Sequence, residues 1–334
     1  MTTKQKRQRG VALLMVLLLL VVMSVLASQM TQSYRLMWLH VNQLKTFQQV
    51  RWSLLGGESL VGAILTRSAK DEPEKTTLVQ YWAVKGKTFS IDNATLRGEV
   101  TDAQACFNIN SLSGQQGDDP DRSLRYRSAV FQQLLRNLDI EELRALQITT
   151  ALEEWLTSAE PGQKQYATGD NDYLAMTPPY LPANRPMQDI SELRAVKGVD
   201  AAIYRRLLPF ICALPNNWLQ VNVNTLQPEQ APLLAALFLE TLTPDDAQKI
   251  IAARPLEGWD SVEVFLALDA LSSRAQGDSD NIISMGSVLS VRSLFFESSL
   301  EVAIENNRAQ MKSLFQRQGD NQLVVVRRHF GEAL

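Results

Sequence analysis

The chain opens MTTKQKRQRGVALLMVLLLLVVMSVLA (residues 1–27), and the reading of that stretch decides the fold. Lys4, Lys6, Arg7 and Arg9 lead to Gly10, and an apolar run then holds to Ala27. A cationic start before an apolar core has the layout of a secretory signal. Two features speak against removal at its end. No clean small-x-small cleavage site stands there, since SVLASQM (24–30) is a loose match at best. The helical pattern also continues, through SQMTQSYRLMWLHVNQLKTFQQVRWSLLGGESLVGAIL (28–65). Leu36, Leu39, Val41, Leu44, Phe47, Val50, Leu54 and Leu55 recur near helical spacing, and no proline occurs before Pro73. The spacing predicts one helix from about Val11 to about Arg67, its second half packed by one face on a globular domain. Val11–Ala27 is short for a hydrocarbon layer of about 30 Å, so flanking residues to position 30 join the span. The positive-inside rule puts residues 1–10 in the cytoplasm and the rest outside.

Composition narrows the function classes. A length of 334 residues allows two or three domains. A formal net charge of −3 argues against a general nucleic-acid binder, which carries a basic surplus. The only histidines are His40 and His329, outside the middle of the chain, so a histidine-centred catalytic site is not expected there. No phosphate-binding glycine loop and no G-x-S-x-G elbow occurs. An anchored enzyme therefore lacks a visible nucleophile–base set or catalytic metal cluster.

Beyond the helix, β-branched and aromatic alternation over 76–104 predicts strands, with turns at KGK (85–87) and DNA (92–94). From about 110 to 285 the pattern changes to short Leu- and Ala-rich helices punctuated by proline. Strands return from 287, and AQMKSLFQRQ and QLVVVRRHF around GDN (319–321) read as a hairpin. The expected fold is α+β: a helix on an antiparallel sheet, formed by 31–109 and 286–334, with an all-α domain inserted at 110–285.

A basic leader ending in glycine against an apolar helix resembles the type IV prepilin and pseudopilin signal. That resemblance implies cleavage after Gly10 by a prepilin peptidase and methylation of Val11, leaving 1–10 as leader. Most pilins carry Glu at the fifth mature position; here it is Met15. The K-class minor pseudopilins of type II secretion systems also lack that carboxylate. CFNINSL (106–112), YLPANRPMQDISELRAVKGVD (180–200), VNVNTL (221–226) and LSVRSLFF (289–296), in this order, resemble the same K class, the GspK family. The resemblance implies a pilin-like fold and a place at the tip of the periplasmic pseudopilus. It also implies partners of the I and J classes and a role in starting assembly for export of folded proteins. The subunit would be a single-pass protein of the cell inner membrane with its soluble part in the periplasm. Ala12, Ser24 and Ala27 would let neighbouring apolar helices approach.

Four groups of residues inside the chain carry candidate chemistry. DISELRAVKGVDAAIYRRLLPFI (189–211) resembles a helix-hairpin-helix or SAM-like unit, and so does the region from VNVNTL to VEVFLAL (221–268). In DNA-binding hairpins the glycine turn offers amides to phosphate. Here Lys197 stands in mixed charge, and Asp245 and Asp246 mark the second region, so protein packing is expected and a periplasmic DNA-binding factor is the rival. Cys106 and Cys212 follow a translocated anchor, where an oxidising compartment favours a disulfide; two buried thiols are the alternative. Acidic clusters at 117–121, 169–173 and 277–281 offer hard oxygens of the kind Ca²⁺ takes, although none has EF-hand spacing and each also reads as a solvated turn. The K-class resemblance implies structural calcium in the helical domain. It points to Asp170 and Asp172, with Glu154, Asp278 and Asp280 behind them. The chain departs from the family pattern at Thr157, Ser158 and Ala159, where acids are usual. Finally, Asn108 with Asn110, and Asn222 with Asn224, form paired N-x-N patterns that read as helix caps or turn formers.

Overall fold

The computed structural model describes residues 9–91, 94–113, 120–157, 168–272, 286–304 and 307–331. Its first element, α1, runs from Arg9 to Asp71, so the helix begins before Gly10 and reaches four residues past Arg67. Proline at 73 and the Ser68 carbonyl bond from the Glu72 amide close it. Five strands form an antiparallel sheet in the order β1 (Lys87–Ile91), β2 (Ala94–Asp102), β7 (Phe295–Ile304), β8 (Asn307–Arg317) and β9 (Leu323–Gly331). β7 reaches the sheet only after the chain has built the helical block, which is why β2 and β7 are neighbours in space and far apart in sequence.

Alternation fixes which face of the sheet is covered. Leu96 on β2, Phe296, Leu300 and Val302 on β7, and Met311 and Phe315 on β8 point at α1 and are buried. The helix answers with Val50, Leu54, Val61, Leu65 and Ala69, a stripe at three- and four-residue spacing. Burying each large aliphatic side chain stabilises by roughly 1.5–3 kcal/mol. Gly57 lets the helix come close, because a Cβ there would sit 2.9 Å from a Leu96 methyl carbon. Packing begins at Val50, which corrects the expected extent of the covered face. Leu36, Leu39, Val41, Leu44 and Phe47 keep about half or more of their surface exposed, since the sheet ends before it reaches them.

At the other end of α1, Arg317 on β8 donates to the Ala69 and Pro73 carbonyls at 2.9 and 3.0 Å. A cation there satisfies carbonyls that the helix terminus leaves open. Burial, and after it the charge of Arg292, push the Arg317 guanidinium down to about 10.

The expected strand over 76–86 is absent. Thr76–Ala83 turns instead, because the Gln80 amide accepts from the Thr77 amide and the Trp82 indole and donates to Glu72 and the Lys75 carbonyl. Trp82 is buried against Phe296, so its aromatic signal belongs to the core under α1 and not to a strand. Strand structure starts after Gly86, whose positive φ of 76° makes the turn.

Between β2 and β7 lie α2 (Pro120–Asn137), α3 (Glu142–Leu156), α4 (Thr168–Leu174), α5 (Ala201–Leu207), α6 (Ala231–Leu237), α7 (Pro244–Ala252), α8 (Val262–Leu266) and α9 (Asp269–Ser272). Their core takes in Phe107 and Ile109 from the outgoing crossing and Val288 and Leu289 from the return. Two very short parallel pairs stitch it: β3 (Phe107–Asn108) beside β4 (Ile211–Cys212), and β5 (Val221–Asn222) beside β6 (Leu289–Ser290).

Candidate functional site

The amino-terminal part of α1 is the first candidate surface. Gly10 and Val11 lie in its opening turn. From Val11 to Val25 every valine, leucine and methionine is exposed, and α1 is long and apolar enough to cross a membrane. The exposed apolar character runs on through Tyr34, Trp38 and Phe47, which no other described residue buries.

Where α1 meets the sheet, Glu58 is buried and paired. Arg328 on β9 donates through Nε, at 2.7 Å, and through Nη2, and the Ser313 hydroxyl donates at 2.6 Å. Burial alone would push the Glu58 carboxyl up. The hydrogen bonds from Arg328 and Ser313, with the Arg328 charge, outweigh burial and hold it below the usual carboxylate range. No sequence signal marked this group: Glu58 is an ordinary acid on a helix until β8 and β9 arrive.

The acidic candidates are divided. Glu154 is exposed near the end of α3, beside the buried Trp155, and Asp172 sits on α4. The Trp155 and Tyr173 rings stand 5.6 Å apart. Burial raises the Tyr173 hydroxyl, and the negative charges of Glu154 and Asp172 both add to that, so the two carboxylates act on one place. Asp172 is already in an ion pair with Lys197 at 2.5 Å. The side chain of Asp170, and Asp278 and Asp280 altogether, lie outside the described residues. Among the described residues no three His, Cys, Asp or Glu side chains converge as a metal site.

The cysteines are joined. Cys106 and Cys212 form a disulfide with Cα atoms 5.9 Å apart, closing a separation of 106 residues. In the chain-entropy account a loop of that size stabilises by up to about 4–5 kcal/mol. The bond lies at the β3–β4 pair, with Cys106 Sγ 3.0 Å from the Ala103 carbonyl oxygen.

The paired asparagines do one job twice. Asn108 accepts from the Asn110 amide, and Asn222 accepts from the Asn224 amide, each making a local turn. The second asparagine of each pair then grips distant backbone. Asn110 donates to the Met187 and Leu214 carbonyls and accepts from the Met187 amide. Asn224 donates to the Trp259 carbonyl and accepts from its amide. Gly258, at a φ of 71°, is needed beside it because a Cβ would strike the Asn224 amide group at 2.7 Å. They are thus turn formers, and the caps of the regular helices come from other residues, such as Asp200 and Ser261.

The glycine turn of the first hairpin unit is not free for phosphate. Gly198 has the positive φ of 87° that the turn requires. Yet the Lys197 amide donates to the Tyr173 hydroxyl, its ammonium pairs with Asp172, and Arg144 pairs with Asp200 and donates to the Gly198 carbonyl. The nearby cations are neutralised by acids of the same block.

Two family models described as type II secretion system (T2SS), protein K, match residues 105–216 and 221–283. The chain is 44% identical over 325 residues to the type II secretion system protein K of Klebsiella pneumoniae, covering 97% of each. It is 39% identical over 333 residues to the protein of that name from Aeromonas hydrophila, covering 98% of each. Its fold is similar to a chain of the crystal structure of the GspK-GspI-GspJ complex from the enterotoxigenic Escherichia coli type 2 secretion system. The TM-score is 0.77 at 32% identity, over 88% of this chain and 99% of that one. The described geometry and these likenesses agree with the K-class pattern, and neither supports the DNA-binding rival: the chain belongs to the type II secretion system protein K family of minor pseudopilins.

Proposed function

We propose that this chain sits at the tip of the periplasmic pseudopilus and starts its assembly with I- and J-class minor pseudopilins, for export of folded proteins across the outer membrane. The observation that carries the reading is a long exposed apolar helix joined to a bulky helical insertion. The helix offers a surface to neighbouring subunits' helices; the insertion would obstruct a subunit stacked beyond it. Met15, in place of a glutamate, removes a carboxylate that could pair with another subunit's amino terminus. In this reading a prepilin peptidase cuts after Gly10 and frees Val11, and 11–30 is a single-pass anchor of the inner membrane. The hairpin units at 189–211 and 221–268 serve as SAM-like packing modules in an insertion bounded near 110 and 285. The subunit is structural, with no catalytic step assigned to it.

The test is mass spectrometry of the mature amino terminus in cells with and without the peptidase. A methylated Val11 that disappears with the peptidase is expected; an intact Met1, or a cut near Ala27, overturns the reading.

Calcium is proposed as a structural ion held by Asp170 and Asp172, with Glu154, Asp278 and Asp280 contributing. What supports it is the hard-oxygen chemistry and the shared negative field of Glu154 and Asp172 at Tyr173. Binding would take Asp172 from Lys197. The melting temperature should rise with added calcium in the parent and not in Asp172→Asn; an equal response in both removes Asp172 from the ligand set.

A further inference from the structure

Four chain segments meet at the seam between sheet and insertion, and one carboxylate ties them. Asp102, the last residue of β2, accepts from the Gln104 amide at 2.8 Å. Its Oδ2 accepts three more hydrogen bonds: from Asn222 Nδ2 at 3.0 Å, from the Thr225 hydroxyl at 2.5 Å and from the Ser293 hydroxyl at 2.5 Å. Asn222 and Thr225 belong to the insertion, and Ser293 to the bend between β6 and β7. Asn222 also donates to the Thr76 carbonyl, in the segment that follows α1, and Ser293 donates its amide to the Thr76 hydroxyl.

Among the described residues no cation pairs with this carboxylate. The charged neighbours along the same segments are engaged elsewhere. Lys75 pairs with Asp260, Glu72 accepts from Gln80, Arg292 donates to Asn321, and Arg254 donates to the Leu226 carbonyl. Asp102 keeps part of its surface exposed, while its carboxyl is enclosed by these donors. Its enclosure pushes the carboxyl up, against four hydrogen bonds that pull it down.

The network has a spare acceptor. Thr225 Oγ lies 3.2 Å from the Asn222 carbonyl as well as 2.5 Å from Asp102. If Asp102 takes a proton on Oδ2, that proton can be donated to Thr225 Oγ while the threonine hydroxyl turns to the Asn222 carbonyl. Ser293 Oγ meanwhile still accepts from Asn222 Nδ2 at 2.7 Å. We propose that Asp102 is the latch that holds the helical insertion on the sheet, and that the latch stays closed in both protonation states because Thr225 can change acceptor. In the periplasmic location proposed above, such a seam would keep the insertion's orientation when the medium turns acid.

The test is hydrogen exchange on the full-length, disulfide-bonded protein in detergent, at about pH 7.5 and about pH 5. Peptides over 220–226 and 290–295 report the seam, and peptides over 54–65 report the α1–sheet core. Exchange is compared after correction for its intrinsic pH dependence. The parent should keep seam protection at both pH values. Asp102→Asn should keep it too, because its amide can donate where the protonated acid would. Its melting temperature should equal or exceed the parent's at about pH 7.5, with the lead shrinking as pH falls, since a raised carboxyl favours the fold only as it gains its proton. Asp102→Ala should lose seam protection at least tenfold while 54–65 stays protected. Thr225→Val should hold near neutrality and open on acidification. If the parent seam opens in acid as readily as Thr225→Val, or if Asp102→Asn opens like the alanine variant, the proposal is wrong. If Asp102→Ala does not accumulate, Asp102→Asn and Thr225→Val still decide it.

Discussion

The sheet unit and the helical insertion reach order by different routes. Under the sheet, one helix supplies a periodic stripe from Val50 to Ala69, and strands β2, β7 and β8 answer with alternate residues. Regular repeats meet regular repeats, and polar contacts such as the Glu58–Arg328 ion pair and the Arg317 bonds to the helix end supplement them. The insertion has a larger core built on helices that are mostly short, several of seven residues or fewer. Such helices are marginal alone. Irregular backbone between them must be satisfied by side chains, and Asn108, Asn110, Asn222 and Asn224 do that, with the disulfide closing the block. Periodicity therefore organises one region and specific polar grips organise the other.

The largest effect that could break this contrast comes from the insertion core. Phe131 is fully buried and its ring lies 5.3 Å from that of Phe107. Phe131→Ala should cost about 3–5 kcal/mol in chemical denaturation, and the loss should appear in the insertion while α1 stays docked. Concerted loss of both regions would mean that they are one cooperative unit.

Next is the disulfide. Replacing Cys106 and Cys212 together by serine should cost about 2–4 kcal/mol, read from the denaturation midpoint. Protease sensitivity should then rise around 103–108 and 211–216 before it rises in β7 or β8. Equal sensitivity across the sheet would mean that the bond supports the whole chain.

A smaller effect separates two carboxylates. Glu58 is held below its ordinary value, so its pairing stabilises above about pH 4.5 and is lost as pH falls through the folded value. Asp102 is raised, and its sign is opposite. Glu58→Gln should therefore lower the melting temperature near neutrality and flatten its fall in acid. An unchanged acid profile in Glu58→Gln would remove the ion pair from the account.

Smallest is a substitution in the uncovered part of α1. Leu39→Ala should change the stability of the isolated protein in detergent by no more than about 0.5 kcal/mol, because the side chain is exposed and belongs to no buried cluster among the described residues. Leu54→Ala, 15 residues further on in the same helix, should cost about 2–5 kcal/mol. Equal costs would mean that packing starts earlier than Val50.

Much of this was legible in the residues alone. The unbroken helix, its apolar first half, the β2 strand, the β8–β9 hairpin and the helical block each follow from local pattern, because hydrophobic period and turn residues act within a few positions. Glycine at 86 and GDN at 319–321 marked turns for the same reason. The failure at 76–86 is instructive: alternation there looked like a strand, but Gln80 offered the backbone a turn and Trp82 a pocket. Among the candidate site residues, the cysteines meet as a bonded pair, whereas Glu154 and Asp172 only share a field at Tyr173.

What the sequence by itself determined is the long apolar amino-terminal helix, the order of helix, strands and helical block, and the family, since those rest on periodicity and on ordered motifs. Only the tertiary structure decided where on α1 the covered face begins, that Glu58 has an arginine and that Asp102 is instead held by neutral donors. It also decided that the asparagines reach backbone 35 to 146 residues away. These depend on which segments the fold brings within about 3 Å of one another, and hydrogen bonding of that range leaves no period in the chain.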